Sequence, residues 1–170
     1  MIVIADTTPI ISLLKIGRLN VLQKLFGEVV IPYGVYYELT SNAIHKEEIS
    51  TIQNANYLKI GKKLSKSVVE LFRKSTGLDL GESEALILSE HSNADILLMD
   101  EMKGRKIAKL MNMNVMGTIG ILIKAYQIGL MNKNDMEEAI QILKSSGRFI
   151  SEKVYAKIYE IIKYNKKDVK

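Results

Sequence analysis

Residues 2–13 read Ile-Val-Ile-Ala-Asp-Thr-Thr-Pro-Ile-Ile-Ser-Leu. The first four form a short apolar run closed by Asp6, and Thr7, Thr8 and Pro9 supply turn chemistry after it. A continuous apolar run bounded in this way is the pattern of a parallel strand buried on both faces. Thr8 and Pro9 then suit the cap and first residue of a helix. Apolar periodicity runs to residue 14, breaks at Gly17, resumes over 19–26 and stops at Gly27. The same unit recurs. Residues 29–31 precede Pro32 and a helix to about Thr40. Residues 95–99 precede Asp100-Glu101 and a helix over 103–110, and residues 113–116 precede a helix over 118–127. Further helices are expected over 67–75, 79–91, 133–144 and 151–164. The one at 79 opens on Asp79-Leu80-Gly81-Glu82, which resembles a capping box. Residues 41–65 are polar and less decided, with a short helix near 47–53 and a short strand near 57–60. Strands alternating with helices indicate an α/β fold, a mostly parallel sheet with helices on both faces.

The chain has 170 residues, 47% hydrophobic and 25% charged, which suits one globular domain and excludes disordered or low-complexity classes. It has no cysteine, so disulfides, thiolate nucleophiles and Cys-based zinc or iron–sulfur sites are excluded. No run approaches the roughly 18 apolar residues of a membrane span. The first residues lack the basic region of a signal peptide. A cytoplasmic protein without membrane association is the expectation. The net charge of +5 is uneven: residues 79–101 hold seven acids and no Lys or Arg, so the rest of the chain carries +12. The stretch 151–170 adds six Lys against three acids. A basic body around an acidic segment suits a polyanion drawn to a centre that needs a cation to tolerate it.

Four acids stand out. Asp6 and Asp100 end the first and third expected strands. Right-handed crossovers put the carboxyl ends of parallel strands on one edge, where open α/β sheets bind ligands. An Asx-turn or a helix cap would explain either Asp alone; the two together, beside the acidic stretch, favour a site. Glu84 shares a helical stripe with Leu80, Ile87, Leu88 and His91, and a carboxylate on an apolar face needs a partner. Glu82 has a structural use as the third residue of the capping box. Glu38 lies late in its helix, against the macrodipole.

Other chemistry finds little support. His45 and His91 are separated and lack zinc-ligand spacing, so structural roles are expected of both. Neither a GxGxxG nor a GxxxxGK[ST] loop is present, and Ser12, Ser83 and Ser89 lack a GxSxG context. The tyrosines, including Tyr33, Tyr36 and Tyr37, read as core or interface rather than as base-stacking platforms. Clustered carboxylates repel one another, and a hard divalent cation relieves that repulsion while activating water against a phosphodiester.

Five segments in order resemble the PIN-domain superfamily, in its prokaryotic VapC-like branch. They are Asp6-Thr7-Thr8-Pro9-Ile10-Ile11-Ser12-Leu13, Ile31-Pro32 through Tyr37-Glu38-Leu39, and Gly81-Glu82-Ser83-Glu84-Ala85-Leu86. Leu97-Leu98-Met99-Asp100-Glu101 with Gly104-Arg105, and Gly117-Thr118, complete the set. The resemblance runs through residues 1–130, with the helices of 131–170 as a C-terminal extension of one domain spanning 1–170. It implies a three-layer α/β/α sandwich with four or five parallel strands and a Mg²⁺- or Mn²⁺-dependent ribonuclease acting on single-stranded RNA. It implies acidic roles for Asp6, Glu38, Glu84 and Asp100, with Asp6, Asp100 and Glu84 on the metal and Thr8 assisting. Glu84 stands where many PIN nucleases have Asp, so Glu82 is its rival, and Glu101 is a further acid. Lys103 and Arg105 at the rim are expected to hold RNA phosphates. The resemblance also implies a homodimer and, for the toxins of the branch, an antitoxin partner.

Three rivals stay open. A receiver-type phosphoacceptor wants an acidic pair where only Asp6 stands. A haloacid-dehalogenase-type phosphatase wants a second Asp where Thr8 stands. A non-catalytic PIN-like module binding nucleic acid or protein fits the same residues.

Overall fold

Among the described residues five short strands form the sheet: β1 (Val3–Ala5), β2 (Val29–Ile31), β3 (Leu58–Ile60), β4 (Ile96–Leu98) and β5 (Val115–Met116). The computed structural model describes residues 1–41, 46–147 and 152–164. His45 and the end of the basic tail lie outside them. All pairings are parallel, in the order β3-β2-β1-β4-β5. The undecided segment thus supplies the fifth strand, on the edge beside β2.

Among the described residues ten helices link and cover the strands: α1 (Thr7–Lys15), α2 (Val21–Phe26), α3 (Tyr33–Thr40), α4 (Lys46–Asn54), α5 (Lys66–Thr76), α6 (Leu80–His91), α7 (Met102–Leu110), α8 (Thr118–Gln127), α9 (Lys133–Ser145) and α10 (Glu152–Tyr164). The two-residue period of the strands separates two cores. Val3, Ala5, Val29, Ile31 and Leu98 point to one face, under α1, α2, α8 and α9. Ile4, Leu97 and Met99 point to the other, under α6 and α7. This is the three-layer α/β/α arrangement. Among the described residues no helix is long and apolar enough to cross a membrane.

The boundary that bears on the site, the start of α1, differs from the sequence reading. Helix α1 begins at Thr7, so Asp6, not Thr8, takes the cap position, with extended φ −79° and ψ 167°. Pro9 sits inside the first turn instead of opening it. Its missing N–H costs nothing there, because the first four helical N–H groups have no intrahelical partner. The breaks at Gly17 and Gly27 are real: both glycines have positive φ, 64° and 76°, which side chains rarely adopt.

Helix α7 approaches the sheet and α6 closely through Gly104. A Cβ there would collide with the Met99 sulfur and lie 3.2 Å from Glu82 Oε1. Gly104→Ala is expected to lower stability by about 1–3 kcal/mol, as overpacking does, in urea unfolding. An unchanged midpoint would contradict this packing of α7.

Candidate active site

With all strands parallel, their carboxyl ends share one edge. Connections run outward from β1 to β2 and β3 on one side, then to β4 and β5 on the other. The crevice between β1 and β4 is therefore the switch point at which α/β sheets bind ligands. Asp6 follows β1 directly, and its N–H donates to the Leu98 carbonyl at 2.9 Å. Asp100 follows two residues after Leu98. Neighbouring strands thus carry both acids to the same edge.

Asp6 is 2% exposed, and its side chain forms no cap hydrogen bond although it occupies the cap position. Burial pushes its carboxyl from the ordinary 3.8 up to about 7. A backbone hydrogen bond from Thr7 works the other way, and the negative charges of Asp79, Glu82 and Glu38 add to the rise. Three acids from two other helices therefore bear on this carboxylate.

Local structure explains how each arrives. The Thr7 hydroxyl, first residue of α1, donates to Glu38 Oε2 at 2.7 Å and ties α3 to the end of β1. Gly81 leaves room for that contact, since a Cβ on it would lie 3.4 Å from both Glu38 Oε2 and Thr7 Oγ1. Asp79 and Glu82 form the expected capping box of α6: the Glu82 N–H donates to Asp79 Oδ1 at 2.8 Å, and the Asp79 N–H donates to Glu82 Oε2 at 3.0 Å. The box occupies one Glu82 oxygen and turns the other toward α7. Burial raises the Glu82 carboxyl. The Asp79 N–H lowers it, the charges of Asp79 and Glu101 raise it, and Lys103 lowers it.

Asp100 and Glu84 accept from backbone donors. Asp100 accepts from the Thr118 N–H at 2.7 Å and from the Thr118 hydroxyl at 2.5 Å. It caps α8, whose own cap residue, Gly117, has no side chain. A Cβ on Gly117 would lie 2.6 Å from Asp100 Oδ1 and 2.8 Å from Arg105 Nη1. Glu84 accepts from the Gly34 N–H at 2.7 Å. It serves α3 in the same way, because Pro32 at that helix's cap position offers no acceptor. The partner that an acid on an apolar stripe requires is thus the start of α3, and the acid of α6 whose charge bears on Asp6 is Glu82. Lys103 Nζ donates to the Gly77 carbonyl at the end of α5 (2.6 Å), and Arg105 Nη1 to the Met99 carbonyl (2.8 Å). Glu101 takes the cap position of α7, and Thr8 is the second residue of α1.

Sequence reasoning missed Thr7, Asp79 and Thr118. Asp79 was legible as half of the capping box, and Thr118 as the polar start of a helix after Gly117. Nothing local distinguishes Thr7 from Thr8.

Every side chain bearing on Asp6 offers oxygen, the donor set of Mg²⁺ or Mn²⁺. Among the described residues no three acids or histidines stand close enough to enclose a metal ion. Mg²⁺ does not require such a cage; it is usually held by one or two carboxylates, with water and substrate phosphate completing its shell. The residues present fit that mode of binding.

A family model described as a PIN domain matches residues 2–164, nearly the whole chain. The chain belongs to the PIN-domain family. No curated protein matches it. The PIN assignment agrees with the all-parallel sheet and supports a nuclease-type fold.

Two predictions follow from the acids. Between pH 4 and 7 the folded protein retains a proton on Asp6 that the unfolded chain has released. Without metal, stability therefore falls as pH rises through that window, and the loss persists above it. Asp6→Asn should melt about 5 °C or more above wild type at pH 8 in EDTA, with the gap closing toward pH 4. Equal melting at both pH values would contradict the burial of this charge. Glu84→Ala should cost about 0.5–2 kcal/mol in urea unfolding, the loss of a helix cap.

Proposed function

We propose that this PIN domain is a metal-dependent ribonuclease that hydrolyses phosphodiesters of single-stranded RNA. The observation that carries the reading is the buried Asp6 carboxylate with Glu38, Asp79 and Glu82 bearing on it at a strand edge. Such a centre needs a cation before an RNA backbone can approach. Asp6 and Glu82 would hold the ion, with Glu38 reaching it through water, and Asp100 closing the β4 side. When bound, Mg²⁺ or Mn²⁺ would favour loss of a proton from the attacking water and offset charge on the phosphodiester. The protein's own residues supply position. Thr7 orients Glu38, Asp79 orients Glu82, and Thr118 orients Asp100. Lys103 and Arg105 bring positive charge to the rim. Each already donates to one carbonyl and keeps further N–H groups for phosphate.

One observation favours a second reading. Asp100 and Glu84 are both engaged as helix caps, and no three acids enclose a cation among the described residues. A module that binds RNA without cutting it would share these features.

Cleavage of labelled single-stranded RNA with Mn²⁺ or Mg²⁺ separates the two. Activity should vanish in EDTA and fall by about a hundredfold or more in Asp6→Asn and Asp100→Asn. Glu82→Gln should lose far more than Glu84→Gln. Binding with no cleavage in either metal would support the module instead.

A further inference from the structure

Beside the acidic edge lies an open groove of about 530 Å³ between α3, α6, α5 and the segment that precedes α5. Its wall on α3 carries Tyr33 and Tyr37, four residues apart on one helical face and 52% and 64% exposed. The tyrosines were expected in the core or at an interface; these two face solvent. Leu80 at the start of α6 adds an apolar surface, 40% exposed. Lys63 and Lys66 line the same groove, and Lys63 Nζ stands 5.9 Å from the centre of the Tyr33 ring. Its two acids are already engaged: Glu84 accepts from the Gly34 N–H, and Glu70 pairs with Arg73 at 2.8 Å.

We propose that this groove is a subsite for unpaired bases of single-stranded RNA, which stack on Tyr33 and Tyr37 while Lys63 and Lys66 hold the adjoining phosphates. The proposal rests on the RNA reading above and extends it from the acidic centre to the strand beside it. Two features select this occupant. The first is continuity: Tyr37 precedes Glu38 on α3, and Leu80 precedes Gly81 and Glu82 on α6. Groove and acidic cluster are thus carried by the same two helices, on residues one or two positions apart. The second is electrostatic. Close to a group of carboxylates, phosphate contacts are weakened by repulsion, whereas stacking needs no charge and tolerates any base. Aromatic rings with lysines at their edge are the usual composition of single-strand grooves.

The test is fluorescence anisotropy in Ca²⁺, which supplies the carboxylates with a cation while binding is read apart from cleavage in Mn²⁺ or Mg²⁺, using an unstructured RNA of about 12 nucleotides and a duplex of equal length. Tyr33→Ala and Tyr37→Ala should each weaken single-strand binding by about tenfold, the loss of one stacked base. Tyr33→Phe and Tyr37→Phe, which keep the ring, should bind close to wild type, and duplex binding should not respond to any of the four. Lys63→Ala should weaken single-strand binding and flatten its salt dependence. Wild-type affinity in the Ala variants would overturn the proposal, as would failure of the wild-type protein to bind single strands. Altered sedimentation of the Ala variants with unchanged RNA affinity would overturn it too, and would assign the face to contact between copies of this chain. Tyr-dependent binding with no cleavage in Mn²⁺ would leave the groove standing while removing the ribonuclease reading.

Discussion

The hydrogen bond from the Asp6 N–H to the Leu98 carbonyl closes the pairing of β1 with β4. Much of the candidate site depends on that ladder. It joins the two halves of the sheet where the strand order changes direction, and it fixes which residues leave the edge side by side. Asp6 and Asp100 are 94 positions apart in sequence; parallel register brings their backbones to neighbouring strand ends. A shift of one residue in β1 would exchange its faces and turn Ile4 toward the core that Val3 and Ala5 occupy. The apolar packing on both sides of the sheet therefore also holds the acids in register.

Around that edge, helix termini do much of the positioning. Asp79 and Glu82 satisfy the start of α6, Glu84 the start of α3 and Asp100 the start of α8. Each carboxylate meets backbone N–H groups that have no partner within their own helix. The acids are thereby oriented before any ligand arrives. Asp6 is different. It stands at the start of α1, makes no side-chain cap bond and is almost fully buried, so its charge is the least compensated. That imbalance separates a structural acid from one suited to a cation, and it makes Asp6 the centre of the functional proposal.

The sheet was legible because short apolar runs ending in Asp, or followed by Pro, have few other readings. Residues 2–6 and 96–100 announce both the strands and the edge acids. The start of α1 lies two residues earlier than the sequence reading places it, because Asp6, Thr7 and Thr8 all resemble a cap before Pro9 and the choice depends on where β1 ends in three dimensions. Between Glu82 and Glu84, periodicity rightly gave Glu84 a need for a partner but could not name the Gly34 N–H, which comes from another helix. The capping box was visible and hid the second use of Glu82, whose carboxylate satisfies one N–H and still bears on Asp6. The exposure of Tyr33 and Tyr37 was likewise out of reach, because it depends on how α5 and α6 leave the groove open.

The central claim, that the carboxylates around Asp6 take a divalent cation, is tested most directly by titrating Mn²⁺ into RNA-free protein and following free Mn²⁺ by electron paramagnetic resonance. The account predicts one site of saturable binding in the wild type, abolished in Asp6→Asn and preserved in Glu84→Gln. Equal Mn²⁺ binding by the wild type and Asp6→Asn would contradict it.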